Sequence, residues 1–164
     1  MKFSNITVGI QQKLIDVVGD NYCLTEKSSK EDYCHDETED LNFPPEVVVK
    51  PANTNEVSEI MKLASEYNIP VTPCGARTGL SGGALCVYGG IALSMERFNT
   101  IIQIDEDNLQ VIVQSGVITQ ELQEAVLEKG LYYAPDPSSR GTCFIGGNIA
   151  ENSGGPRAVK YGVT

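Results

Sequence analysis

Twelve of the sixteen glycines fall in two segments, residues 71–95 and 137–164, and both segments are nearly free of acidic side chains. In the first, Arg77 is the only charged residue; in the second, Arg140, Arg157 and Lys160 stand against Glu151. The two segments therefore carry +1 and +2, and the other residues hold −13 of a total charge of −10. Glycine lets the backbone adopt positive φ and approach a ligand closely, so an acid-free glycine segment can turn several N–H groups toward one anion. A single glycine cluster reads as tight turns. Two clusters with matching electrostatics point to a small phosphate-bearing ligand.

A chain of 164 residues accommodates one core and at most a small second lobe. No apolar run approaches the roughly 18 residues of a spanning helix, and the N-terminus lacks a signal peptide's apolar stretch. The acidic balance repels polyanions, which argues against nucleic acid or an anionic membrane as the partner. Cys23, Cys34, Cys74, Cys86 and Cys143 form no CxxC pair and are odd in number. They read as reduced thiols, and the chain as cytoplasmic. His35 is the single histidine, so a His-rich metal site is excluded and no metal is expected. Flanked by carboxylates, His35 reads as a solvated side chain.

Periodicity orders the elements. Ile10, Leu14, Val17 and Val18 lie at helical spacing before Gly19, which predicts an N-terminal helix. Residues 26–40 read as an irregular acidic surface stretch. Residues 46–49 form an apolar run stopped by Pro51, a buried strand. Asn53 and Glu56 have capping-box spacing ahead of Val57, Ile60, Met61 and Ala64. Strands at 69–72 and 91–94 then flank the first glycine loop, and strand, helix, strand implies a parallel βαβ unit. Beyond Phe98 the pattern becomes antiparallel, a hairpin at 100–114 turning at Asp105-Glu106-Asp107-Asn108. Thr119 is placed as the N-cap of a helix ending at Gly130, and the remainder reads as irregular chain.

The first loop, Pro73-Cys74-Gly75-Ala76-Arg77-Thr78-Gly79-Leu80-Ser81-Gly82-Gly83-Ala84, fits neither standard phosphate motif. A Walker loop needs Gly-Lys, which the chain lacks, and a Rossmann fingerprint needs GxGxxG opening a helix. Together with Tyr132-Tyr133-Ala134-Pro135-Asp136-Pro137-Ser138-Ser139 and Ile145-Gly146-Gly147-Asn148-Ile149-Ala150-Glu151-Asn152-Ser153-Gly154-Gly155, followed by Lys160-Tyr161-Gly162, it resembles the flavin domain of FAD-linked oxidases. The likeness is to the branch of the vanillyl-alcohol oxidase/p-cresol methylhydroxylase superfamily that holds the flavin component of glycolate oxidase, D-lactate dehydrogenase and D-2-hydroxyglutarate dehydrogenase. It runs from about Tyr33 to the last residue.

That resemblance implies an α+β, PCMH/VAO-type FAD-binding fold: a small parallel βαβ lobe, then a larger, mostly antiparallel lobe that is incomplete at the C-terminus, with FAD extended between the two. The chain divides accordingly into an N-terminal helix and acidic segment at 1–45, a first FAD-binding lobe at 46–97 and a truncated second lobe at 98–164. By the same resemblance Gly75, Ala76, Arg77, Thr78, Gly79, Gly83 and Ala84 form the pyrophosphate loop. Pro137, Ser138 and Ser139 lie along the flavin and ribityl chain, and Gly146, Gly147, Asn148, Asn152, Gly154 and Gly155 pack against the cofactor. The first loop has no histidine for covalent attachment, so the FAD is expected to be non-covalent. Cys74, Cys86 and Cys143 are read as small packing residues.

The implied activity is hydride transfer from a D-2-hydroxy acid to FAD in a longer protein, whose further domain binds the substrate and whose electron acceptor is unknown. The fragment by itself is expected to be inactive, and its catalytic residues are unassigned. Two alternatives stand beside this reading: a non-enzymatic flavin-binding or assembly module of the same fold, and a MurB-like reductase.

Overall fold

The computed structural model describes residues 2–164, which form two compact units, 2–97 and 98–164. The first contains α1 (Val8–Val18), β1 (Cys23–Leu24), β2 (Val47–Val49), α2 (Thr54–Tyr67), β3 (Val71–Cys74) and β4 (Ile91–Ser94). Its sheet has the order β1-β2-β4-β3. β4 is parallel to both neighbours, with Val48 opposite Ala92 and Cys74 opposite Ser94. The expected βαβ unit is β2-α2-β3, and β4 occupies the space left between its two strands. β1, not expected from the sequence, adds an antiparallel edge by pairing Cys23 with Val49; two residues are too few to show a hydrophobic period.

Alternation along β2 and β4 sorts this core into two faces. Val47, Val49, Ile91 and Leu93 pack with Ile10, Leu14 and Val18 of α1 and Ile60 and Ala64 of α2. Val48 and Ala92 face the other way, onto Tyr33, Cys74 and Cys86. Burying an aliphatic side chain contributes about 1.5–3 kcal/mol, so the three from α1 outweigh the Thr7 N-cap, at about 1 kcal/mol. The N-terminal helix is thus held mainly by packing within this unit. At α2 the predicted cap forms, with the return bond shifted by one residue: Asn53 Oδ1 accepts from the Glu56 N–H at 3.0 Å. The Glu56 carboxylate in turn accepts from the Ala52 N–H at 2.7 Å. Asn68 then ends the helix in the left-handed conformation, at φ 53°. The acidic stretch is more regular than expected, since Ser28–Tyr33 is 3₁₀-helical and its last residue, Tyr33, is buried.

The second unit contains the antiparallel hairpin β5 (Ile101–Asp105) and β6 (Gln110–Val113), then α3 (Thr119–Leu127), α4 (Ile145–Ala150) and α5 (Ala158–Tyr161). Val117, Leu122, Val126 and Ile145 are its core. Two readings change here. The N-cap of α3 is Ile118, whereas Thr119 is buried and its hydroxyl bonds to the Cys143 carbonyl at 3.3 Å. The segment read as irregular holds two short helices; in the first, Gly146 sits against Ser115, where a Cβ would come within 2.7 Å of the serine side chain. Among the described residues, no helix is long and apolar enough to cross a membrane.

Candidate functional site

In the first unit the glycine loop leaves the C-terminal end of β3, the side of a parallel sheet where ligands dock. Among the described residues, the backbone N–H groups of residues 75–80 have no protein acceptor. The Gly79 carbonyl is occupied, accepting from the Glu37 N–H at 3.1 Å. Left-handed backbone is used within the loop at Gly82, with φ 75°, and at Arg77, with φ 59°. Positive φ at an arginine is a costly conformation, and the sequence places no glycine there.

Arg77 is fixed at its far end as well. Its guanidinium lies 4.3 Å from the centroid of the Tyr33 ring and contacts the Gly75 carbonyl at 3.4 Å. Lys50 faces the same ring at 5.5 Å, but Lys50 is ion-paired with Glu96. No carboxylate among the described residues pairs with Arg77. The loop therefore combines unpaired N–H donors with an uncompensated guanidinium, a donor set suited to the charge and oxygen count of a pyrophosphate. Buried polar atoms without partners lie in the same unit: Asp36 Oδ2, Thr38 Oγ1 and Ser94 Oγ. Asp36 and Thr38 flank Glu37, whose N–H meets Gly79. The N–H groups of the loop and the Arg77 guanidinium fit FAD in its phosphate part.

Beneath the loop, Cys74 and Cys86 are buried in one cluster, and their proximity raises Cys74, with help from burial, and lowers Cys86. Cys74 Sγ also approaches the Ala84 carbonyl at 3.4 Å. The pair packs the base of the loop. His35 is exposed.

The second unit gathers its named residues less uniformly. Pro137 is buried, Ser138 exposed and Ser139 half-buried. The Ser139 carbonyl accepts from the N–H groups of Thr142 and Cys143, both at 2.8 Å, which shapes the turn. Gly147 and Asn152 are exposed, and a Cβ on Gly147 would meet nothing within 4 Å. Asn148 is turned inward, 2% exposed, and its amide donates to Thr119 Oγ1. Gly155, at φ 124°, lies so close to the Asp136 carbonyl that a Cβ would come within 1.9 Å of it. Gly146, Asn148 and Gly155 thus have internal reasons for their identity.

The positive charge of this segment is partly compensated. Asp136, 5% exposed, accepts from Arg140 Nη1 at 2.8 Å and sits 3.4 Å from Arg157 Nε. The Arg140 hydrogen bond, followed by the charges of the two arginines, holds its carboxyl below the ordinary value. The one carboxylate that both arginines grip lies just ahead of the glycine-rich segment 137–164. The i,i+4 spacing of Asp136 and Arg140 is the signal for it in the sequence, although Pro137 between them disfavours a helix interior. A cleft of about 270 Å³ opens here, lined by Gln120, Gln123 and Tyr132 among others.

The FAD binding domain family matches residues 45–164. Glycolate oxidase subunit GlcD of Bacillus subtilis is 43% identical over 97% of this chain and 34% of its own length. D-lactate dehydrogenase of Anaerostipes hadrus is 46% identical over 82% of this chain and 28% of its own length. D-2-hydroxyglutarate dehydrogenase of Stutzerimonas stutzeri is 36% identical over 86% and 30%. The chain thus spans about a third of the curated relatives it matches. Among solved structures, alkyldihydroxyacetonephosphate synthase superposes with a TM-score of 0.86 at 20% identity, covering 99% of this chain and 32% of that one. p-Cresol methylhydroxylase with substrate bound gives 0.76 at 23% identity, covering 90% and 30%. At those identities the likeness concerns the fold, the α+β flavin-domain architecture expected from the sequence. The family match across 45–164 and the identities of 36% to 46% show that this chain belongs to the FAD binding domain family, whose cofactor is FAD.

Proposed function

We propose that the chain is the FAD-binding part of an oxidoreductase that oxidises the CH–OH group of a small D-2-hydroxy acid. The observation that carries this reading is the loop after β3, where unpaired N–H groups and an unpaired arginine stand in an otherwise acidic chain related to glycolate, D-lactate and D-2-hydroxyglutarate enzymes. In this reading Gly75, Ala76, Arg77, Thr78, Gly79, Gly83 and Ala84 hold the pyrophosphate. Pro137, Ser138, Ser139, Gly146, Gly147, Asn148, Asn152, Gly154 and Gly155 form the surface that receives the flavin and its ribityl chain. When bound, FAD supplies the hydride acceptor. The residues of this chain bind and orient it without a covalent bond. Groups that hold the substrate carboxylate lie in a further domain, and a cytoplasmic setting is part of the same reading.

The test is to produce the full-length protein that carries this chain, measure its flavin content, and assay glycolate, D-lactate and D-2-hydroxyglutarate with an artificial electron acceptor. Stoichiometric FAD with turnover of one of these acids is expected. Tight FAD binding with no turnover of any 2-hydroxy acid would favour a flavin-binding or assembly module, and reduction by NADPH alone would favour a MurB-like reductase. Absence of bound flavin would overturn the reading altogether.

A further inference from the structure

We propose that Asp136 is a positioning residue that latches the Pro137–Ser138–Ser139 turn to the Gly154–Gly155 segment, so that the two reach the cofactor as one rigid surface; this rests on the FAD-binding reading above. Three contacts converge on it, and a fourth holds its neighbour Pro135. Arg140 donates to Oδ1 at 2.8 Å from the far side of the turn, and Arg157 Nε lies 3.4 Å from Oδ2 from beyond Gly155. The backbone of Gly155 rests on the Asp136 carbonyl. One residue earlier, the Pro135 carbonyl accepts from Gln123 Nε2 of α3 at 2.8 Å. One buried carboxylate thus joins two segments distant in sequence and anchors them beside a helix.

Both arginines are about half exposed at their side chains, while the carboxylate is 6% exposed. The asymmetry matters. Removing either arginine leaves a buried charge with one partner, whereas removing the carboxylate frees two arginines and loosens both segments together. Pro137, Ser138 and Ser139 follow Asp136 directly, and Gly154 and Gly155 lie just ahead of Arg157 in the chain, so the latch ties together the two segments proposed to contact the flavin. A cofactor site needs its contact residues held within about 0.5 Å, and a single-turn helix such as α5 does not supply that rigidity alone.

The experiment uses the FAD-loaded full-length protein and compares D136N, D136E and R157Q with V126A, a cavity variant in the core of the same unit and outside the latch. FAD dissociation constants are read from flavin fluorescence, the visible flavin band is recorded, and thermal unfolding of the FAD-free protein is followed. D136N is expected to weaken FAD at least tenfold and to shift the flavin band, with D136E recovering part of the affinity. V126A is expected to lower the unfolding temperature while leaving affinity and band unchanged. If D136N costs thermal stability but keeps the wild-type dissociation constant and spectrum, Asp136 is only structural and the proposal is overturned. Should D136N fail to fold, R157Q, which keeps the Arg140 bond, decides by the same criteria. A wild-type protein that binds no FAD would sink both readings, whereas an unchanged D136N in a flavin-binding wild type would sink this one alone.

Discussion

Arg77 stands over the ring of Tyr33, its guanidinium carbon 4.3 Å from the ring centroid, while its own backbone is left-handed at φ 59°. The strained residue of the loop is therefore also the one whose side chain is tethered. R77G separates these two roles. Glycine relieves a conformation costing about 1–3 kcal/mol, and loss of the cation–π contact removes about 1–2 kcal/mol. The two nearly cancel, so unfolding free energy should change by less than about 1 kcal/mol while FAD affinity drops tenfold or more. R77E should weaken FAD further, by placing a carboxylate against the phosphates. Retention of FAD by both variants through extensive dilution would remove Arg77 from the site.

Gly155 and Gly147 should respond oppositely to the same added methyl group. A Cβ on Gly155 would come within 1.9 Å of the Asp136 carbonyl at a φ that L-residues avoid, so G155A should lose at least about 3 kcal/mol of stability. Gly147 lies within α4, and a Cβ added there would meet nothing within 4 Å. G147A should be neutral or gain up to about 1 kcal/mol, with any loss of FAD affinity reporting ligand contact rather than folding. Chemical denaturation of both variants checks the contrast, and equal destabilisation would contradict it.

How far the sequence reveals this structure depends on how local each signal is. Asn53 with Glu56, the valines of β2 and the turn at Asp105 are read from neighbours in sequence, and all three form as expected. Elsewhere the decisive partner is distant. Thr119 looks like an N-cap, yet its hydroxyl is drawn to the far-off Cys143, where it also receives the Asn148 amide. Helices α4 and α5 escape a propensity reading because nearby glycines serve close packing against Ser115 and Asp136. Glycine density and missing acid together single out an irregular loop with free donors, but they assign its left-handed backbone to glycine in general. The structure uses Gly82 and an arginine, the latter stabilised by a tyrosine from another segment. Asp136 has one partner near in sequence, Arg140, and one distant, Arg157, and only the first is legible from neighbours.

The capping box of α2 offers a prediction confined to folding. Asn53 accepts the Glu56 N–H and Glu56 accepts from Ala52, so N53A should cost about 1 kcal/mol. FAD affinity should stay at the wild-type value, because neither residue belongs to the proposed site. Urea unfolding and flavin titration of the same variant check the two halves, and an affinity change beyond twofold would mean that α2 and the loop after β3 are coupled.

The last prediction concerns acid. Asp136 is held below the ordinary carboxyl value, first by the Arg140 hydrogen bond and then by the charges of Arg140 and Arg157. The other charged or titratable side chains lining its cleft are Glu124 on α3 and the two tyrosines, Tyr132 and Tyr133. A carboxylate depressed in the folded state contributes stability that is fully present above its unfolded value, about 3.9, and is lost as pH falls through the lower folded value. The stability gap between wild type and D136N should therefore be flat from pH 7 to about pH 5, then narrow once the pH drops below about 4. Tyr133 does not contribute in this range, since burial pushes its phenol above its ordinary value. Denaturant titrations of both proteins at stepped pH measure the gap; one that widens below about pH 4, or that begins to close near neutrality, would show that the carboxylate is not ionised against the two arginines.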